Sequence, residues 1–358
     1  MRKSDFLVYF SNRYEEARSK FRDACRKGWA EPESYVNPAK SPQGDVLSTD
    51  VAWFGPRNAS RVLVVLSGTH GVEGFCGSGC QVGWIASGGP TRMPEGVGVL
   101  VVHMLNPYGA AWRQRETEEG VDLNRNFIDH DAGLPQAPLY AEIEEALMCP
   151  DLAGPAYEAA EAKIAEFRQR YGDRGFAEAL FGGQYQSPEG MCYGGREPAW
   201  SRKTLVEILN RHAGKSRHVI QLDYHTGLGP YAYASMIAFC KPEDELFARA
   251  TAWFGPTVMA VGGIAGPTAN GCKNTLGSAQ VTPITVEYGT YDLEREFRVV
   301  RRAQWLKNYG DPDTELGRQI KAELMEYFYP ADDNWKEMVW HRSQQIIRQS
   351  LDALASQD

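Results

Sequence analysis

The sequence predicts an α/β protein with a mixed, mostly parallel central sheet flanked by helices, and three observations carry that prediction. Apolar runs recur along the chain, at "RVLVVL", "VGVLVVHML", "HVIQLDYH", "SMIAFC" and "VTPITVEYG". Helix-forming stretches lie between several of them, the alternation that builds parallel sheets. Several of the runs also end in ionisable side chains, often beside glycine, where open α/β sheets collect their ligands at the carboxyl edge.

Taken in order, residues 4 to 27 read as a helical segment. The polar stretch "PAKSPQGDVLSTDVAWFG" follows and is expected to contain one short strand. "RVLVVL" then opens the alternating series, and a helix is expected from Glu73 to Ile85. Residues 137 to 212 are richer in helix-forming pattern, with "YAEIEEALM", "AYEAAEAKIAEFRQRY" and "WSRKTLVEILNRH" interrupted by the Gly-rich "GGQYQSPEGMCYGG". They read as a helical elaboration within a single domain spanning residues 1–358. At the C-terminal end, Trp335, Val339, Ile346, Leu351 and Leu354 fall near one helical face, the pattern of a helix packed on its own core. The Gly-rich stretch 262 to 277 reads equally as a rim over a site or as a plain surface loop.

The 358 residues carry a net charge of −8 with no long basic stripe to offset it, which argues against general nucleic-acid binding. No apolar run approaches the ~20 residues of a bilayer-spanning helix. The first residues lack the apolar stretch of a secretory signal, so a cytoplasmic location without membrane association is expected. Seven scattered cysteines suit reduced thiols better than a disulfide framework. Cys76 and Cys80, in CxxxC spacing on the expected helix, read as small buried side chains.

The chemistry collects at the strand ends. In "SGTHGVEGF", His70 and Glu73 stand three residues apart in a glycine-rich strand-to-helix junction, where both heads can turn toward one cation. HxxE alone is a weak signal. "HVIQLDYHTGLG" adds Asp223 and His225, and "TPITVEYGTYD" adds Glu287. His70, Glu73 and His225 form a His₂Glu set, which suits one catalytic zinc ion with an open water position. Glu287 remains as a general base able to take a proton from an attacking water. A fourth end, "VGVLVVHMLNPYGAAWRQRETEEGVDLNRNF", leads into a loop with Arg113, Arg115, Asn124 and Arg125. Guanidinium groups there can bind a carboxylate or stabilise charge on a carbonyl oxygen, so a small acidic substrate is expected.

These motifs, in this order, resemble the zinc carboxypeptidase superfamily, which includes the aspartoacylase-like deacylases. "HGVE" resembles its HxxE ligand pair, "NPYG" and "VDLNRNF" its loop signature, and "DYHTG" the strand bearing the third ligand. The glutamate of "TVEYG" stands where the catalytic base should follow. The resemblance extends over most of the chain for an uncharacterised bacterial subgroup of that superfamily, and is confined to the motifs for carboxypeptidases proper. It implies the zinc carboxypeptidase-like fold, of phosphorylase/hydrolase-like type, with zinc on His70, Glu73 and His225 and Glu287 activating water. It also implies that Arg115 polarises the scissile carbonyl while Asn124 and Arg125 grip a substrate carboxylate. Arg113 competes with Arg115, since the loop spacing does not choose between them. Asp223 could orient a ligand histidine or satisfy backbone groups.

The expected activity is hydrolysis of an amide bond, peptide or N-acyl amino acid, next to a free carboxylate. The partner would be a small carboxylate-bearing molecule or a peptide C-terminus. The sequence departs from carboxypeptidases proper after the base, at "EYGTYD", and none of Tyr193, Tyr288 and Tyr291 has the spacing of their mobile tyrosine. The competing reading is a non-catalytic protein that keeps fold, metal and ligand. No GxSxG elbow supports a serine hydrolase. His103, His130, His212, His218 and His341 read as structural.

Overall fold

In the computed structural model, which describes residues 5–357, the run "RVLVVL" forms strand β3 (Arg61–Ser67) near the middle of one eight-stranded sheet. The other strands are β1 (Glu33–Lys40), β2 (Val46–Phe54), β4 (Val97–His103), β5 (His218–Gly227), β6 (Ala234–Ala238), β7 (Met259–Ala260) and β8 (Gln280–Gly289). Their order is β1-β2-β4-β3-β5-β8-β6-β7. The four central strands, β4, β3, β5 and β8, run parallel. Antiparallel pairings join β1 to β2, β2 to β4 and β6 to β8, so the sheet is mixed, as the apolar runs predict.

Between β3 and β5 the connections diverge, since the chain leaves β3 for β4 on one side and later returns to β5 on the other. Such a reversal opens a crevice beyond the carboxyl ends of the strands. The loop carrying His70 and the end of β5 carrying His225 flank it.

Period-2 alternation divides the strand residues between two layers. Leu63, Val65, Ile220, Leu222, Ile284 and Val286 share a buried cluster with α1 (Tyr14–Lys27), α2 (Gly74–Ala86), α7 (Glu245–Phe254) and α11 (Asp333–Ala355). Trp335, Val339, Ile346, Leu351 and Leu354 all point into this cluster. Val62, Val64, Leu66, Val219 and Val281 face the opposite layer, built on α6 (Trp200–Ala213) and α8 (Thr268–Thr275). A third cluster joins Val72, between His70 and Glu73, to α4 (Pro138–Leu147), α5 (Pro155–Phe181), α9 (Leu293–Tyr309) and α10 (Glu315–Phe328). The short α3 (Pro107–Trp112) begins the loop after β4. Within residues 137–212, α4 and α5 build this third cluster, whereas Leu205, Ile208 and Leu209 of α6 lie against the sheet.

Two expectations change. The segment 4 to 27 is not one helix: its described part is a 3-10 turn at Leu7–Tyr9 and then α1, with Arg13 extended at the helix start. Residue 4 lies outside the described residues. The polar stretch from Pro38 contains the expected strand, β2, but an unexpected one, β1, lies mostly before it, and the turn joining the two is closed by Ser41 Oγ, which accepts the amide hydrogens of Gln43 and Asp45. β1 escaped the sequence reading because it is an edge strand, half exposed and carrying Pro38, with a register shift between Val36 and Lys40.

Candidate metal centre

His70 and Glu73 sit in the turn between β3 and α2. A Cβ on Gly71 would lie 2.0 Å from the Gly109 carbonyl carbon, so glycine lets this turn pack directly on α3. The Gly71 and Val72 amides donate to the carbonyls of Arg115 and Gln114, at 3.2 and 3.1 Å, which ties the turn to the arginine loop. His225 and Glu287 are direct register partners on adjacent parallel strands, and they project from the same sheet face as Asp223.

Glu73 is the hub. Its Oε1 lies 2.8 Å from His70 Nδ1 and its Oε2 3.1 Å from His225 Nδ1. The Thr226 amide also donates to Oε2, at 3.1 Å, and Arg115 Nη1 donates to Oε1. The ligand atoms of His70, Glu73 and His225 all lie within 4.8 Å of one another. The two imidazole rings meet nearly edge to face, with centroids 5.0 Å apart.

Each histidine has a carboxylate on its far side. His70 Nε2 is 3.0 Å from Asp122 Oδ1, and His225 Nε2 is 3.1 Å from Asp223 Oδ2. The second pair lies close without hydrogen-bond geometry, while Thr69 Oγ1 donates to the other Asp223 oxygen at 2.8 Å. Burial and Arg115 oppose a charge on His70, but Glu73 and Asp122 outweigh them and raise its pKa. Burial would raise the Asp122 carboxyl, yet His70, Arg125 and Arg115 hold it well below the ordinary range. Three carboxylates surround the two imidazoles, and Arg115 balances part of their charge: it donates to Glu73, and its Nη2 lies 3.3 Å from His70 Nε2 and 4.0 Å from Asp122 Oδ2.

Glu287 is buried, and burial pushes its pKa up to about 7, with His225 opposing and Glu73 adding to the rise. The Leu228 amide donates to its Oε1 at 3.2 Å. The Arg115 guanidinium stacks on the Phe328 ring, 4.8 Å from its centroid. Arg113, two residues earlier, has no side-chain bond to this cluster among the described residues; it lines a separate cavity with Lys321 and Trp112. Asn124 Oδ1 accepts the Thr268 amide at 2.9 Å and its hydroxyl at 3.1 Å, so Nδ2 is the end left without a protein partner among the described residues. Arg125 donates through Nη1 to its neighbour's carbonyl, that of Asn124, at 2.7 Å, and through Nε and Nη2 to that of Phe181, at the end of α5. One hydrogen on each of its terminal nitrogens remains for a ligand.

Of the three tyrosines, Tyr288 is buried with its hydroxyl directed at the Val339 carbonyl, and Tyr291 donates to Glu326. Tyr193 packs in the layer of α6. Thr268, in the Gly-rich stretch, packs against the Asn124 loop, as its two bonds show. The sequence reading assigned no role to Asp122, although it stands inside the quoted "VDLNRNF". It also missed Glu296, a buried carboxyl on α9 that takes a bond from Tyr327 Oη at 3.2 Å and is pushed up to about 7 by burial.

A protein-family profile described as "Protein of unknown function (DUF2817)" matches residues 10–342. The chain belongs to the DUF2817 family. No curated protein matches this DUF2817 chain in sequence. Solved structures similar to this chain include a fibrinolysis inhibitor, an amidase and a desuccinylase. Thrombin activatable fibrinolysis inhibitor is 13% identical, with a TM-score of 0.46 over 96% of this chain and 77% of that one. The murein-tripeptide amidase of Escherichia coli O157 is 17% identical, with a TM-score of 0.36 over 84% and 93%. The succinylglutamate desuccinylase of Chromobacterium violaceum is 12% identical, with a TM-score of 0.37 over 90% and 76%. No helix among the described residues is long and apolar enough to cross a membrane.

Proposed function

We propose that this chain is a metal-dependent hydrolase, with one zinc ion held by His70, Glu73 and His225, that cleaves an amide bond beside a free carboxylate. The observation that carries this reading is the convergence of both Nδ1 atoms on the two oxygens of Glu73, while each Nε2 faces a carboxylate. His70, by giving Nε2–H to Asp122, would keep its Nδ1 lone pair free and more basic, and with Glu73 and the Nδ1 of His225 beside it the donor set fits a divalent ion. Two imidazoles and one carboxylate favour zinc over magnesium or calcium.

When bound, zinc would supply a Lewis acid that polarises the carbonyl and makes water more acidic. Glu287 would take the proton of the attacking water as its oxygen adds to the carbonyl carbon, and would later deliver a proton to the departing amine. A carboxyl lifted toward neutrality by burial is a better proton acceptor than an ordinary glutamate. Arg115, held by Glu73 and by the face of Phe328, would donate to the carbonyl oxygen as negative charge develops there. Asn124 Nδ2 and the two remaining hydrogens of Arg125 would orient the substrate through its carboxylate. The substrate would be a carboxylate-bearing acyl amino acid or a peptide C-terminus, met in the cytoplasm.

The test is elemental analysis of the purified protein beside His70→Ala and His225→Ala, followed by an activity screen on acyl amino acids and short peptides. One zinc per chain in the wild type and none in the variants supports the site. Full occupancy in both variants defeats the ligand assignment. Bound metal without turnover on any substrate would replace the hydrolase with a metal- and ligand-binding protein.

A further inference from the structure

Away from the His–Glu cluster, a cavity of about 390 Å³ opens between the start of α1, the β1–β2 turn, α3 and α10. Three cations line it: Arg13, Arg113 and Lys321. Arg13 has a counter-ion, since Glu15, the one carboxylate in the lining, lies 3.5 Å from it. The side chains of Arg113 and Lys321 make no ion pair or hydrogen bond among the described residues. Lys321 is half-buried, with its Nζ over the Trp112 ring at 5.7 Å. Burial lowers its pKa; Asp313 opposes that and Arg113 adds to it. Two like charges therefore share one concavity without a bonded protein counter-ion, in a chain whose net charge is −8.

The backbone supplies a second, independent observation. Arg113 closes α3 in the left-handed region, at φ 54° and ψ 59°, and its amide donates to the Gly109 carbonyl. Glycine or asparagine is the unstrained choice at such a cap, and another L-residue there costs about 1 kcal/mol. A guanidinium is thus carried where a smaller residue would serve the fold better, and strain of this kind gathers at ligand sites.

We propose that this pocket is a small-anion site, which takes a phosphate or carboxylate group between Arg113 and Lys321, with Arg13 at the rim and the Trp112 face as its wall. The guanidinium offers paired donors to two oxygens of the anion, and the ammonium adds a point charge. The site is separate from the proposed zinc centre and does not depend on it.

The experiment is isothermal titration calorimetry of the full chain as purified, with the variants below titrated beside it so that only binding they weaken is assigned to this pocket. Inorganic phosphate and citrate are titrated in parallel at low ionic strength, with sodium chloride as the control. Saturable binding of one or both is expected, weakened about tenfold or more in Arg113→Gly and in Lys321→Ala and largely kept in Lys321→Arg. Arg113→Gly suits the left-handed backbone, so loss of binding in it will not reflect misfolding, and an unchanged thermal melt checks this. Of the binding that Arg113→Gly and Lys321→Ala weaken, that of phosphate alone identifies a phosphoryl ligand, that of citrate alone a carboxylate ligand, and that of both the shared chemistry. No saturable heat with either anion overturns the proposal. So does equal affinity in the wild type and both weakening variants.

Discussion

Replacing Asp122 with asparagine tests the proposed metal centre through a residue that would never touch the ion. Its Oδ1 sits 3.0 Å from His70 Nε2 and also accepts the Asn124 amide at 2.9 Å. Asparagine can make both contacts and is a good helix-capping residue, so the loop should survive. What disappears is the buried negative charge that fixes the His70 tautomer and strengthens Nδ1 as a donor. Loss of such a partner weakens metal affinity by about 10- to 100-fold, or roughly 1.4–2.7 kcal/mol. Because the amide oxygen can still accept from His70, Asp122→Asn should fall near tenfold and Asp122→Ala toward the upper end. Asp223→Asn serves as an internal comparison. Its carboxylate is as near to His225 but lacks hydrogen-bond geometry, so the loss should be smaller. The assay is a zinc titration against a chromophoric chelator, with a thermal melt of each variant to show that it is folded. Zinc affinities for both Asp122 variants within about twofold of wild type would refute the argument that this carboxylate orients a ligand.

Glu287→Gln should keep full zinc and lose most turnover, about 10²-fold or more, because the proton acceptor is gone while the ligands remain; near-normal rates would make Glu287 structural. Arg125→Ala should raise KM for carboxylate-bearing substrates far more than for uncharged analogues, and an equal effect on both would remove the clamp. At the other side of the sheet, buried Asp50 takes bonds from Arg18 at 2.7 Å, Arg22 at 2.9 Å and Ser34 at 2.5 Å. Burial would raise its carboxyl, but the bonds from Arg18 and Ser34 outweigh it and hold the pKa below the ordinary aspartate value. A folded pKa below the unfolded one gives stability that is complete above pH ~4 and fades as pH falls through the folded value. Asp50→Asn should therefore lose about 1–3 kcal/mol at neutral pH and show a flatter acid limb in urea melts from pH 6 to 3; parallel profiles for the two proteins would contradict this.

The mixed sheet was legible in the sequence because its central strands, buried on both faces, read as unbroken apolar runs. His70, Glu73, His225 and Glu287 stood out for a related reason: each ends such a run or follows it in a glycine-rich turn, so local pattern alone places them at the carboxyl edge. Edge strand β1 gave no such signal, since half of it faces solvent. Tertiary structure alone decided how the ends meet. The β5–β8 register sets His225 beside Glu287, and the crossing from β4 to β5 brings the His70 turn opposite them. Spacing could not separate Arg113 from Arg115, because two residues in a loop can face opposite ways. The left-handed cap at Arg113 turns the two apart, one to a surface cavity and one to Glu73. The carboxylate behind His70 and the Phe328 ring over Arg115 come from 52 and 213 positions along the chain from the residues they touch. No local pattern encodes contacts of that range; packing creates them, and packing is where the candidate site acquires its charge and its walls.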